Sequence, residues 1–255
     1  VNPLQFAPNE DFPTYPRELE ADVEVCTAEG VDLVLSLQEH QMYPPGFATF
    51  VHVEGLTDVL EGAARPHHFR GVTTVVAKIY QLVFPHIAYF GQKDAQQALI
   101  LSRMTRDLSV PVDVRVLPTV READGLALST RNRKLSAEHR EQAAALYRGL
   151  RQAQLAYEEQ GVRRVGDLLD RAREPLTATE ASVEYVELVA LPTLDSQPEN
   201  VEVPEPAMIA VAASFGATRL IDNVLLPATT DLAATVAFTE RTRSTSTGSG
   251  DAPAS

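Results

Sequence analysis

The sequence predicts an α/β protein: a parallel-sheet part first, then a smaller α+β part. Three observations carry this. Between residues 86 and 117 an apolar run, a stretch of helical period and a second apolar run follow one another, and strand, helix, strand in that order implies a right-handed parallel crossover. Between residues 136 and 225 two helical stretches are followed by three strand-like runs, the arrangement of an α+β unit. The chain has 255 residues, 44% of them hydrophobic and 22% charged, which is globular composition with length enough for a real core.

Element by element, residues 1–6 (Val-Asn-Pro-Leu-Gln-Phe) read as a strand end running into a loop. The apolar run 31–35 and the β-branched, aromatic run 49–53 suit strands, with a polar, proline-bearing loop between them. From 70 to 83, Val72, Val75, Val76, Ile79, Leu82 and Val83 recur at three-and-four spacing, giving a helix that Pro85 stops. Residues 86–90 read as a buried strand, 94–108 as a helix with Leu101, Met104 and Leu108 inward, and 112–117 as a strand. Sheets of this kind bind ligands at the carboxyl ends of their strands. After Pro118 a polar segment, 121–133, leads to a long helix with Ser136 as N-cap and Ala143, Leu146 and Leu150 along one face. A helix at 165–173 and strands at 183–189, 207–213 and 218–225 complete the second part. Residues 1–119 and 120–228 therefore read as two domains, and the Thr, Ser and Ala-rich stretch 229–255 as a disordered tail.

Composition excludes several function classes. With 22 basic and 35 acidic residues the net charge is −13, so the chain is a poor general binder of nucleic acid or anionic lipid, while a local basic site for a small phosphate compound is still open to it. A single cysteine, Cys26, rules out an intrachain disulfide framework and a four-thiolate zinc site, and reads as buried and inert. No run approaches the roughly 18 to 20 apolar residues of a membrane span, and no signal-like segment opens the chain, so a cytoplasmic protein is expected. There is no H-E-x-x-H pair, G-x-S-x-G elbow or Walker-type loop, so no protein-borne metal site is expected and hydrolase or P-loop readings lose their ground. The opening on Val1, without an initiator methionine, leads to the expectation that an upstream stretch is missing.

Two clusters can carry chemistry. Gly91-Gln92-Lys93-Asp94-Ala95-Gln96-Gln97 lies where a strand turns into a helix. There the helix start offers amide N–H groups to an anion, Lys93 adds charge, Asp94 can cap the helix or hold a ribose hydroxyl, and Gln97 lies one turn in. Local sequence by itself suits an ordinary capped helix with a solvated lysine better. The second cluster, Ser129-Thr130-Arg131-Asn132-Arg133, follows Asp124-Gly125 at the domain junction. Hydroxyls beside a guanidinium suit a polyphosphate, although a capped loop before Ser136 fits too. The neutral amides of Asn2 and Gln5 can bind a carboxylate or hydroxyl without acting as nucleophiles. Glu61-Gly62 precedes Arg65-Pro66-His67-His68-Phe69, whose adjacent histidines point apart on most backbones, so that one reads as structural or exposed.

In order, residues 1–6, Glu61 with 65–72 (Arg-Pro-His-His-Phe-Arg-Gly-Val), 89–94 (Tyr-Phe-Gly-Gln-Lys-Asp) and 118–127 (Pro-Thr-Val-Arg-Glu-Ala-Asp-Gly-Leu-Ala) closely resemble the pantothenate synthetase family of pantoate–β-alanine ligases. The likeness runs nearly without gaps from residue 1 to 136 and more loosely to about 227. It implies a nucleotidylyltransferase-type, Rossmann-like catalytic domain (residues 1–119, incomplete at its N-terminus), a smaller lid-like α+β domain (120–228) and a homodimer. It further implies ATP as substrate with Mg2+, and adenylation of pantoate before attack by β-alanine. By resemblance Gln5 and Gln97 bind pantoate, while Lys93, Ser129 and Arg131 hold the ATP phosphates as the catalytic set. Gly91 and Asp94 contact the ribose, Val120, Leu128 and Thr130 join the nucleotide site, and Tyr15 and His68 lie toward the acyl acceptor. Gln92, Leu128 and Thr130 stand where the family usually has glutamate, methionine and serine. The family's H-x-G-H motif would precede residue 1, and none of the six histidines forms it. Two rivals therefore stand beside the ligase: an inactive nucleotide- or pantoate-binding homologue, and a related adenylate-forming transferase with another acceptor.

Overall fold

Strand, helix and strand between residues 87 and 117 form the parallel crossover that the sequence order implies. The computed structural model describes residues 1–7 and 12–238, with only the backbone described at 237 and 238. In chain order the helices and strands are α1 (Leu19–Ala28), α2 (Glu39–Met42), α3 (Glu61–Ala64), α4 (His68–Val83), β1 (Ile87–Gly91), α5 (Ala95–Asp107) and β2 (Asp113–Leu117). After them come α6 (Ala137–Ala143), α7 (Ala145–Glu158), α8 (Val165–Arg173), β3 (Ser182–Ala190), β4 (Ala207–Phe215), β5 (Thr218–Leu226) and α9 (Leu232–Phe238). β1 and β2 make a two-stranded parallel sheet, and β3, β4 and β5 a three-stranded one in that order. The expected α/β class is thus borne out.

The chain divides into two compact units. One comprises Val1–Ala88 with Arg103–Asp113, the other Tyr89–Ser102 with the chain from Val114 onward. In the first unit α4 buries Phe69, Val72, Thr73, Thr74 and Tyr80 and ends on Phe84, in left-handed conformation, just before Pro85. A 3-10 turn, Pro3–Gln5, lies against α4. A Cβ on Gly71 would stand 2.2 Å from the Leu4 carbonyl oxygen, so only glycine admits this approach. In the second unit β3–β4 and β4–β5 pair antiparallel. α7 and α8 supply Leu146, Leu150, Leu168 and Leu169 to a core shared with Leu188, Ile209 and Val224 of the sheet.

Several expectations need correction. Residues 31–35 and 49–53 are not strands. The first run exposes Val31, Leu33, Val34 and Leu35. In the second, backbone groups that a ladder would use go to α4 threonines: Val51 N–H donates to Thr74 Oγ1 (3.1 Å) and Thr73 Oγ1 donates to the Val51 carbonyl (2.7 Å). The opening residues form the 3-10 turn, whose Leu4 N–H is capped by the Asn2 side chain (3.3 Å), instead of a strand end. α5 buries Leu101 and Met104 but stops at Asp107, leaving Leu108 54% exposed. The long helix after Ser136 is broken at Ala144, where ψ is −16°, nearer 3-10 than α geometry. Cys26 is half-buried on α1, a helix with no buried residue. Within the stretch read as disordered lies α9. Its first turn is held by Asp231 Oδ1 accepting from Ala233 and Ala234, and Leu232 and Val236 are buried one turn apart. Residues 239–255 of the expected tail lie outside the described residues.

Candidate active site

At the end of β1 the backbone passes through a 3-10 turn, Gln92–Asp94, into α5. Lys93 stands on this turn with its Nζ 3.4 Å from Asp94 Oδ1, its side chain 20% exposed against 48% for Asp94. Gly91 precedes the turn, and half-buried Gln97 follows in the first turn of α5. β5 holds the turn from beneath. Asn223 Nδ2 donates to the carbonyls of Gln92 (2.9 Å) and Lys93 (3.0 Å).

The second cluster sits at the foot of a short hairpin. Arg121 bridges Ala127, Leu128 N–H donates to the Val120 carbonyl (2.9 Å), and Glu122 N–H donates to the Leu126 carbonyl (2.8 Å). Val120 and Leu128 are therefore opposite one another, both exposed (65% and 52%), and directly opposed residues share a face. Gly125 turns the hairpin at φ +93°, where a Cβ would also stand 2.3 Å from the Tyr147 ring. The chain then enters a 3-10 turn, Thr130–Lys134, capped by Ser129, whose Oγ accepts from Arg131 N–H (3.2 Å). This turn packs on β5, as does the turn of Lys93. Ser129 and Arg131 are half-buried and Thr130 is exposed.

Ion pairs brace the hairpin on both sides. Arg140 donates to Glu122 Oε2 and Asp124 Oδ2, each at 2.6 Å. Those hydrogen bonds hold both carboxyls below their ordinary values and the guanidinium above its own. On the other side Arg121 donates to Asp222 Oδ2 (2.6 Å) and Oδ1 (3.0 Å), and its guanidinium lies 3.7 Å from the Tyr147 ring centre. Burial pushes the Asp222 carboxyl upward, while Arg121 and, more weakly, Lys93 pull against it.

The first unit holds the remaining sequence candidates. Asn2 Nδ2 donates to Gln5 Oε1 (2.8 Å) and to the Gly71 carbonyl (3.0 Å), and Asn2 Oδ1 accepts from the Tyr43 hydroxyl (2.7 Å). Burial raises that hydroxyl to about 12. The Gln5 amide thus turns its oxygen to Asn2 and its N–H donors the other way. The Gln5 carbonyl accepts from Arg65 Nη2 (3.1 Å) and from His68 Nδ1 (2.9 Å). A carbonyl can only accept, so Nδ1 carries a proton, and His68 Nε2 lies 3.3 Å from Arg65 Nη1, a donor. His67, in left-handed conformation, is exposed. Tyr15 meets the Phe6 ring edge-on at 5.6 Å.

A sequence model described as pantoate-beta-alanine ligase matches residues 1–225. The chain belongs to that family. It is 48% identical over 227 residues to the pantothenate synthetase of Moorella thermoacetica, covering 89% of this chain and 79% of that one. Among solved structures it is similar to pantothenate synthetase from Thermus thermophilus, with a TM-score of 0.82 at 47% identity, covering 88% of this chain and 80% of that one. It is also similar to pantoate-beta-alanine ligase from Francisella tularensis, solved with beta-gamma ATP and beta-alanine, with a TM-score of 0.69 at 32% identity and coverages of 88% and 76%.

In this ligase-family chain the second unit gathers Gly91, Lys93, Asp94, Gln97, Val120, Leu128, Ser129, Thr130 and Arg131, and the first unit gathers Gln5, Tyr15 and His68. Sequence reasoning missed Asp222, Asn223 and Arg121. One signal was available: Asp222-Asn223 interrupts the apolar run from Leu220 to Leu226, and a buried acid needs a partner. Among the described residues no group of three or more His, Cys, Asp or Glu side chains could hold a metal ion, and no helix is long and apolar enough to cross a membrane.

Proposed function

We propose that this chain joins pantoate to β-alanine at the expense of ATP. A pantoate carboxylate oxygen attacks the α-phosphorus and pyrophosphate leaves. The β-alanine amine then attacks the acyl carbon and AMP leaves. The observation that carries the reading is that two cationic turns far apart in sequence, those of Lys93 and of Ser129–Arg131, pack on the same strand, β5, within one compact unit.

Lys93 and Arg131 accelerate adenylation to the extent that they hold the departing pyrophosphate more strongly than the bound triphosphate. Ser129 adds a hydroxyl and the start of a 3-10 turn. Gly91 and Asp94 face the ribose, Thr130 joins the phosphate contacts, and the exposed apolar pair Val120 and Leu128 offers a surface to a planar base. Gln5 and Gln97 present amides to pantoate, and His68 and Tyr15 stand toward the acceptor. The donor set at the two turns is cationic and not carboxylate-rich, which fits Mg2+ carried in on the phosphate oxygens, where it would neutralise charge beside Lys93 and Arg131. By role, residues 1–119 supply the pantoate and nucleotide domain and residues 120–228 a lid. A cytoplasmic homodimer is the expected working form.

Pantoate-dependent exchange of labelled pyrophosphate into ATP tests this reading. Exchange that requires pantoate is expected. ATP binding without exchange would contradict it and point to an inactive binding homologue, and adenylation followed by transfer only to other amines would point to a different acceptor.

A further inference from the structure

We infer that the adjacent pair Asp222 and Asn223 of β5 is a positioning element for the phosphate site, Asn223 fixing the turn of Lys93 directly and Asp222 fixing the hairpin that leads into the turn of Ser129 and Arg131. This rests on the assignment of Lys93, Ser129 and Arg131 to the nucleotide phosphates. Asn223, 3% exposed, places one amide against two consecutive carbonyls, those of Gln92 and Lys93, from 130 positions along the chain or more. Its Oδ1 lies 3.5 Å from Gln92 Nε2. Fixing both peptide units sets the direction in which the Lys93 side chain leaves the backbone.

Asp222, equally buried, acts on the other turn indirectly, through the hairpin that leads into it. Both its oxygens accept from Arg121, which also donates to the Gly125 carbonyl (3.1 Å). The hairpin that runs into Ser129 and Arg131 is thereby pinned to β5. Asp222 Oδ1 further accepts from the Asn223 N–H (2.8 Å), locking the two neighbours together. A strand that is otherwise buried through Leu220, Val224, Leu225 and Leu226 would fold with apolar residues at these positions at lower desolvation cost. What the polar pair adds is a defined spacing between two cationic turns.

Positioning leaves a signature that a folding role lacks: it acts more on the phosphates, held by the Lys93 side chain, than on the nucleoside, whose ribose contacts Gly91 and Asp94 belong to the same stretch. The full chain and Asn223→Ala are titrated with ATP and with adenosine. The unsubstituted chain is expected to prefer ATP. Asn223→Ala is expected to weaken ATP about tenfold, as loss of well-placed hydrogen bonds does, and to weaken adenosine clearly less. In a Lys93→Ala background the same substitution should change the ATP affinity little further, because the side chain it positions is gone. Asn223→Thr is strand-compatible and polar but too short to reach both carbonyls, and it serves if the alanine variant does not fold. Equal losses for ATP and adenosine, or no loss for ATP, would overturn the inference while leaving the ligase reading intact. An unsubstituted chain with no preference for ATP would overturn the phosphate assignment itself, and this inference with it.

Discussion

Lys93 is held by backbone and not by a strong ion pair of its own: its neighbour Asp94 lies at 3.4 Å on a largely exposed side chain. That favours a cation kept for a ligand. Lys93→Ala is therefore expected to lower the rate of pantoate-dependent pyrophosphate exchange by a factor of about 10² to 10³, with little change in melting temperature. A melting temperature that fell with activity would make the residue structural. Gln97→Ala should raise the Michaelis constant for pantoate about tenfold or more, as loss of a hydrogen bond to a charged ligand does, and leave ATP binding intact. An unchanged constant would remove Gln97 from the site. These candidates were legible because each cluster is contiguous in sequence and resembles a family motif; local sequence by itself suited an ordinary capped helix at residues 91–97 better, and the roles came from the resemblance. Asn223 was not legible as the partner of Gln92 and Lys93, since no local pattern pairs residues so far apart.

At the scale of elements, what the sequence revealed depended on who satisfies the backbone. β2, α8 and the three long strands were readable because their own periodicity matches their ladders or buried faces, whereas β1, expected as a buried strand, is a strand with no buried residue and Tyr89 56% exposed. Residues 49–53 have strand composition, yet Thr73 and Thr74 of α4 take the bonds at Val51. The hairpin between Val120 and Leu128 escaped notice because its arms are joined by a single bridge, Arg121 to Ala127, and are too short to show a strand period, although Asp124-Gly125 marks its turn. Gly125→Ala combines a positive φ with a clash against Tyr147, and is expected to destabilise the second unit by about 1–3 kcal/mol or more, measured by denaturant melts.

The Arg140 brace of that hairpin sets a pH dependence. Its hydrogen bonds lower the Glu122 and Asp124 carboxyls from ordinary values of 4.5 and 3.8. A carboxyl with a lowered folded value contributes stability that is complete above the ordinary value and lost as pH falls through the folded one. Melting temperature should therefore drop more steeply below about pH 4.5 in the unsubstituted chain than in Arg140→Ala, and the difference should shrink in high salt because the pairs are solvent-facing. Parallel acid limbs would show that the brace contributes nothing.

For the whole molecule, the α/β class and the order of elements followed from periodicity, while the membership of each compact unit did not. α5 is one continuous helix, yet residues up to Ser102 cluster with the second unit and those from Arg103 with the first. Such a division is a property of tertiary contacts that no window of sequence encodes. It also gives β5 its importance: the strand lies late in the chain and receives two turns from well before it. The most direct measurement is a crystal structure of the chain with a non-hydrolysable ATP analogue. The triphosphate is predicted to lie within hydrogen-bonding distance of both Lys93 Nζ and the Arg131 guanidinium. A triphosphate bound elsewhere, or one reached by only one of the two cations, would contradict the account.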